Sequence, residues 1–128
     1  MTNSEKRFLD GLCVLVVEDE AIISFLLEDM LADLGAADVR HAGNVAAALD
    51  YLKTHTPDLA VLDVNLGGER VYPVAEQLAA KGVRFIFTTG YGKSGIDPRW
   101  AERPVVQKPF NVAGMTDGLK ALVPSSAV

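Results

Sequence analysis

The chain has a single cysteine among its 128 residues. Cys13 therefore has no internal disulfide partner. It sits inside the apolar run Cys13-Val14-Leu15-Val16-Val17, where a small buried side chain is expected rather than a reactive thiol. Histidine is nearly as scarce: His41 and His55 have no acidic or cysteine neighbour at metal-ligand spacing, and both are read as surface residues. No apolar stretch approaches the roughly 20 residues that span a bilayer, so no membrane insertion is expected. Positive charge is in short supply, with 12 Lys and Arg against 17 Asp and Glu and a formal charge of −5. Phosphate backbones require a basic surface, so direct nucleic-acid binding is not expected either. Lys6 and Arg7 are followed by no apolar core of signal-peptide length, and a cytoplasmic protein is expected. Internal repeats and low-complexity tracts are also missing.

What is present suits one globular domain. Apolar residues make up 49% and charged residues 23%, enough for a single sizeable core. The expected organisation is an N-terminal extension over 1–10, a domain over 11–123 and a short tail over 124–128. Four short apolar runs read as strands buried on both faces: Cys13 to Val17, Leu59 to Leu62, Phe85 to Phe87, and Val105 to Gln107. Val39 to Ala42 reads as a weaker fifth. Helical periodicity lies between them. Ala21 to Leu34 is expected to turn Ile22, Phe25, Leu26, Met30 and Leu34 inward, with Gly35 stopping it. Asn44 caps a helix carrying Val45, Ala48, Leu49 and Leu52. Asn65 to Gly68 reads as a loop, and a helix from about Val71 to Ala80 turns Val74, Ala75 and Leu78 inward. Gly90 to Pro104 is too rich in Gly and Pro for a long helix, and Asn111 caps a last helix through Leu119 and Leu122.

Strands alternating with helices predict an α/β three-layer sandwich with right-handed crossovers around a five-stranded parallel sheet. The flavodoxin-like order 2-1-3-4-5 fits best. In such sheets, ligands bind beyond the carboxyl ends of the strands, and here those ends are chemically marked. Glu18-Asp19-Glu20, Asp63, Thr88-Thr89-Gly90 and Lys108-Pro109-Phe110 each follow an apolar run. Carboxylates, a hydroxyl and an ammonium on one edge suit metal binding and phosphoryl transfer. Glu20, taken alone, reads as a solvated helix-start charge. Gly92-Lys93-Ser94 imitates the end of a phosphate-binding P-loop, but Phe87 stands where that motif needs its first glycine. Nucleotide binding is therefore rejected.

The four marks together, in this order, resemble the receiver domain of two-component response regulators over about Gly11 to Val123. Phe87 to Gly92 further resembles the Phe-Ala-Thr-Gly-hydrophobic-Tyr subgroup of single-domain receivers, with Thr88 standing where Ala is usual. The resemblance implies that Asp63 accepts a phosphoryl group from a histidine kinase or histidine phosphotransfer protein. It implies Mg²⁺ held by Asp19, Asp63 and the backbone carbonyl of Asn65, with Glu18 reaching the ion through water. It assigns Thr89, rather than Thr88, and Lys108 to the phosphoryl oxygens. Receivers commonly carry an aromatic switch residue where this chain has Val105. Tyr91 and Trp100 are the nearby aromatics that can substitute, although packing against the sheet is the favoured account of Trp100. The expected role is a stand-alone signalling switch, not an enzyme beyond its own phosphorylation and dephosphorylation, acting on a downstream protein or passing the phosphoryl group on. A phosphorylation-independent scaffold is the alternative. A phosphatase is disfavoured because Asn65 stands where its acid/base aspartate is needed.

Overall fold

The computed structural model describes residues 8–90 and 95–123. The main sheet contains β1 (Cys13–Val17), β2 (Asp38–Ala42), β3 (Leu59–Asp63), β6 (Arg84–Thr89) and β7 (Val105–Gln107). Two very short strands, β4 (Asn65–Leu66) and β5 (Glu69–Arg70), lie between β3 and β6. The helices are α1 (Ala21–Asp33), α2 (Val45–Thr54), α3 (Tyr72–Ala80) and α4 (Val112–Leu122). The sheet runs β2-β1-β3-β6-β7 and every pairing in it is parallel. With the small hairpin set aside, this is the expected order 2-1-3-4-5. None of the described helices is long and apolar enough to cross a membrane.

The unbroken apolar runs become strands because both sheet faces are covered. Leu15, Val17, Ala60, Leu62, Phe85 and Phe87 face α2 and α3 in one core. Val14, Val16, Leu59, Val61, Ile86 and Val106 face α1 and α4 in the other. Local chemistry sets the helix starts. Asn44 accepts from the Ala47 N–H, and Asn111 accepts from the Gly114 N–H, as the capping signals predict.

Three expectations are corrected. First, α1 is rotated from its expected face: Ser24, Leu27, Met30 and Leu31 are buried, while Ile22 and Phe25 are 83% and 65% exposed. The run Ile22-Ile23-Ser24-Phe25-Leu26-Leu27 is apolar nearly all round, so periodicity offers two stripes and packing on the sheet selects the other one. Second, Leu9, assigned to an N-terminal extension, is fully buried and donates its N–H to the Leu34 carbonyl at 2.9 Å. The packed unit therefore already includes residues 8–10. Third, the segment read as a loop at Asn65 to Gly68 belongs to an antiparallel hairpin, with Asn65 paired to Arg70 and Leu66 to Glu69. Smaller departures concern Cys13, half-buried with Sγ 3.8 Å from Tyr51 Oη, and His41, whose ring meets Ser24 Oγ and Glu28 at 3.3 Å. The broken stretch before β7 includes a 3-10 turn at Pro98–Trp100.

Candidate functional site

Parallel register brings the chemically marked residues to one level. Val17 pairs with Leu62, so Glu18 leaves β1 where Asp63 closes β3. Asp63 pairs with Thr88, and Thr89 with Gln107, which puts Lys108 just beyond the same edge. The Lys108 N–H donates to the Thr89 carbonyl at 2.8 Å and braces the two strand ends. Between them lies an open cleft of about 330 Å³ whose lining includes Asp19, Glu20, Asp63, Thr89 and Lys108. Asn65, Arg70 and Gly90 complete its polar rim. Of the two threonines, Thr89 lines the cleft. Thr88 is buried and its carbonyl accepts from the Val64 N–H.

Asp63 is held at both oxygens. Its Oδ2 lies 3.2 Å from Lys108 Nζ and its Oδ1 accepts from the Asn65 N–H at 3.3 Å. Lys108 also donates to Glu18 Oε1 at 3.0 Å, and Glu18 Oε2 accepts from the Glu20 N–H at 3.1 Å. Glu18 is buried behind the cleft, and burial pushes its carboxyl up to about 7. The bonds from Lys108 and Glu20 resist that rise, and the Asp63 charge reinforces it. Burial works against the Lys108 charge as well, but Glu18 and Asp63 together raise its pKa.

Among the described residues, the carboxylates able to converge on one ion are Glu18, Asp19 and Glu20, whose oxygens lie within 4.8 Å of one another. Glu20 thus joins the candidate ligands, contrary to its reading as a mere helix-start charge. Asp63 and Asn65 face the same cleft without belonging to that tight group. The donors are all hard oxygens, with neither thiol nor imidazole, which fits Mg²⁺. The Asn65 side chain is committed elsewhere, its Oδ1 accepting from the Gly68 N–H at 3.2 Å.

Of the three switch candidates, Trp100 is a packing residue: it is buried, with its ring 5.7 Å from that of Phe85 at an interplanar angle of 65°. Val105 is half-buried against the same core. Tyr91 lies outside the described residues, as do Gly92, Lys93 and Ser94. The residue that sequence reasoning missed is Arg70, carried to the cleft by β5. Its signal was available in Asn65-Leu66-Gly67-Gly68-Glu69-Arg70, a Gly-Gly pair between short segments that favours a tight hairpin.

A doubly wound parallel sheet with acids, a threonine and a lysine beyond its carboxyl ends defines a CheY-like receiver fold. The chain belongs to the response regulator receiver domain family, which it matches over residues 14–120. The solution structure of SdrG from Sphingomonas melonis Fr1 is 43% identical, with a TM-score of 0.73 over 88% of this chain and 96% of that one. The BeF3-activated conformation of SdrG matches at 44% identity and a TM-score of 0.76, over 88% of this chain and 98% of that one. Sporulation initiation phosphotransferase F of Bacillus subtilis is 26% identical over 116 residues, covering 87% of this chain and 93% of that protein. The transcriptional regulatory protein PdtaR of Mycobacterium tuberculosis is 26% identical over 114 residues, or 86% of this chain. The alignment spans only 56% of PdtaR's length.

Proposed function

We propose that this receiver accepts a phosphoryl group on Asp63 from a phosphohistidine of a histidine kinase or histidine phosphotransfer protein. The observation that carries the reading is Asp63 itself, held at both oxygens on the wall of an acidic cleft by Lys108 and the Asn65 N–H. An Asp63 carboxylate oxygen forms the new bond to phosphorus as the phosphorus–nitrogen bond of the donor breaks. The electron pair of that bond leaves on the imidazole, which takes up a proton. Lys108 and the Thr89 hydroxyl receive the phosphoryl oxygens, holding charge where the transition state spreads it. Asp19, Glu20, Asp63 and the backbone carbonyl of Asn65 would hold Mg²⁺, with Glu18 reaching it through water, and the ion when bound neutralises the carboxylates that otherwise repel an anionic donor.

A protein donor is supported by what surrounds the cleft. Ile22, Phe25 and Leu26 follow the acidic triplet and Val112 follows Lys108, and all four are large apolar side chains left exposed. Single exposed apolar residues are ordinary, but several in the segments that lead away from the cleft residues suit a partner surface. The likeness to SdrG, solved in a BeF3-activated conformation, supports phosphoryl-dependent switching. In this reading the protein is a cytoplasmic signalling element that acts on a downstream protein or relays the group, and its only chemistry is on itself.

The test is incubation with acetyl phosphate and Mg²⁺ followed by intact-mass measurement. The expected result is one phosphoryl group on the wild type, none on Asp63→Asn, and none in EDTA. Labelling of Asp63→Asn to the wild-type extent, or indifference to EDTA, would overturn the assignment.

A further inference from the structure

Lys108 is heavily committed before any phosphoryl group arrives. Its Nζ lies 3.0 Å from Glu18 and 3.2 Å from Asp63, with Glu20 at 4.0 Å. A cleft lined by Asp19, Glu20 and Asp63 thus has more negative charge than Lys108 can answer. Among the described residues one other cation lines it, Arg70. The backbone places Arg70 there: β4 and β5 pair Asn65 with Arg70, across a turn whose Gly67 and Gly68 have φ of 59° and 97°. Both angles lie in the left-handed region that glycine enters without strain. A Cβ at Gly67 would come within 3.7 Å of Asp19 Oδ2, so the turn lies against the acidic side of the cleft. Among the described residues Arg70 has neither a salt-bridge partner nor a side-chain hydrogen bond. An arginine that lines an acidic cleft without pairing to its acids keeps its five donors for another anion. Its planar fork matches two phosphate oxygens at once, which an ammonium cannot do.

We infer that Arg70 is a second phosphoryl-binding cation of the cleft, taking oxygens of the group on Asp63 that Lys108 does not. This rests on the phosphoacceptor reading of Asp63 and adds a ligand to it. The hairpin then has a purpose, since it returns the chain to the cleft seven residues after the acceptor.

Beryllofluoride, which mimics a phosphoryl group on an aspartate, is the probe. Its binding to the wild type, Arg70→Gln and Arg70→Lys is measured by fluorine NMR in saturating Mg²⁺, with Mg²⁺ affinity measured separately in fluoride-free buffer. Arg70→Gln is expected to weaken beryllofluoride binding by about tenfold, the size of one lost charge-assisted contact. Arg70→Lys should recover part of it. Mg²⁺ affinity should hold or tighten in Arg70→Gln, because a positive charge near the ion has gone. Equal beryllofluoride affinity in Arg70→Gln and wild type would overturn the inference, as would a loss matched by weaker Mg²⁺ binding. Arg70 is exposed, so both variants are expected to fold. A wild type that binds no beryllofluoride and takes no label on Asp63 would remove the phosphoacceptor reading as well. Normal labelling of Asp63 with an indifferent Arg70→Gln would remove only the role of Arg70.

Discussion

Glu18 carries the pH response of the site. Burial moves its carboxyl from 4.5 to about 7, so the metal-free folded protein keeps a proton that the unfolded chain has already lost. A raised acid of this kind contributes stability that is fully present below about pH 4.5 and is lost as pH rises through about 7. Each pKa unit is worth about 1.4 kcal/mol, so the contribution lost across that window is on the order of 3 kcal/mol. The raised Lys108 pKa acts only in alkali and does not enter this range. Urea unfolding in EDTA at pH 5 and pH 8 checks the point. Wild-type stability should fall relative to Glu18→Gln as pH rises, and parallel behaviour of the two proteins would contradict a buried, protonated Glu18.

Between residues and molecule stand the helices, and two of them make opposite demands. The buried side of α1 is set by Leu27, Met30 and Leu31, while Phe25 faces out. Leu27→Ala should cost about 2–5 kcal/mol by leaving a cavity, whereas Phe25→Ser should stay within about 0.5 kcal/mol. Similar costs in chemical denaturation would show that α1 is rotated from the face described. Helix α4 instead approaches the sheet closely through Gly118. A Cβ there would lie 2.5 Å from Ile86 Cδ1 and 2.7 Å from Val106 Cγ2. The Ile86 tip can turn aside, but the β-branched Val106 is stiff, and overpacking costs about 1–3 kcal/mol. The helix preference of alanine returns about 1 kcal/mol of that. Gly118→Ala should therefore be destabilising by about 1 kcal/mol in the same assay, and a gain in stability would mean that β7 yields readily.

For the molecule as a whole, the sheet is a rigid partition between two cores, and the cleft lies where strands from both halves of the chain end. Charge collected at that edge links metal binding to global stability. A ligand that binds only the folded state at one hundred times its Kd adds about 2.7 kcal/mol. Mg²⁺ should accordingly raise the melting temperature by several degrees, and Asp19→Asn should abolish most of the rise. An equal shift in Asp19→Asn, or none in the wild type, would place the ion elsewhere.

The sequence by itself determined the sheet, its order and the acids, threonine and lysine at its edge. Runs such as Leu59 to Leu62, buried on both faces, and caps such as Asn44 and Asn111 are set by neighbours a few residues away. Parallel strands in register then bring their carboxyl ends together without further instruction. Tertiary structure decided what local pattern leaves degenerate or cannot reach. The apolar start of α1 offers two faces, and only contact with the sheet chooses between them. Leu9 is buried because Leu34 is there to receive its N–H. Lys108 meets Glu18 across 90 residues of chain, and that contact works against a rise that burial itself causes. Arg70 reaches the cleft through a hairpin of two-residue strands, too short for any period to register. Strand identity is encoded within each segment, but the choice of helix face and the state of a buried charge depend on what the rest of the fold packs against them.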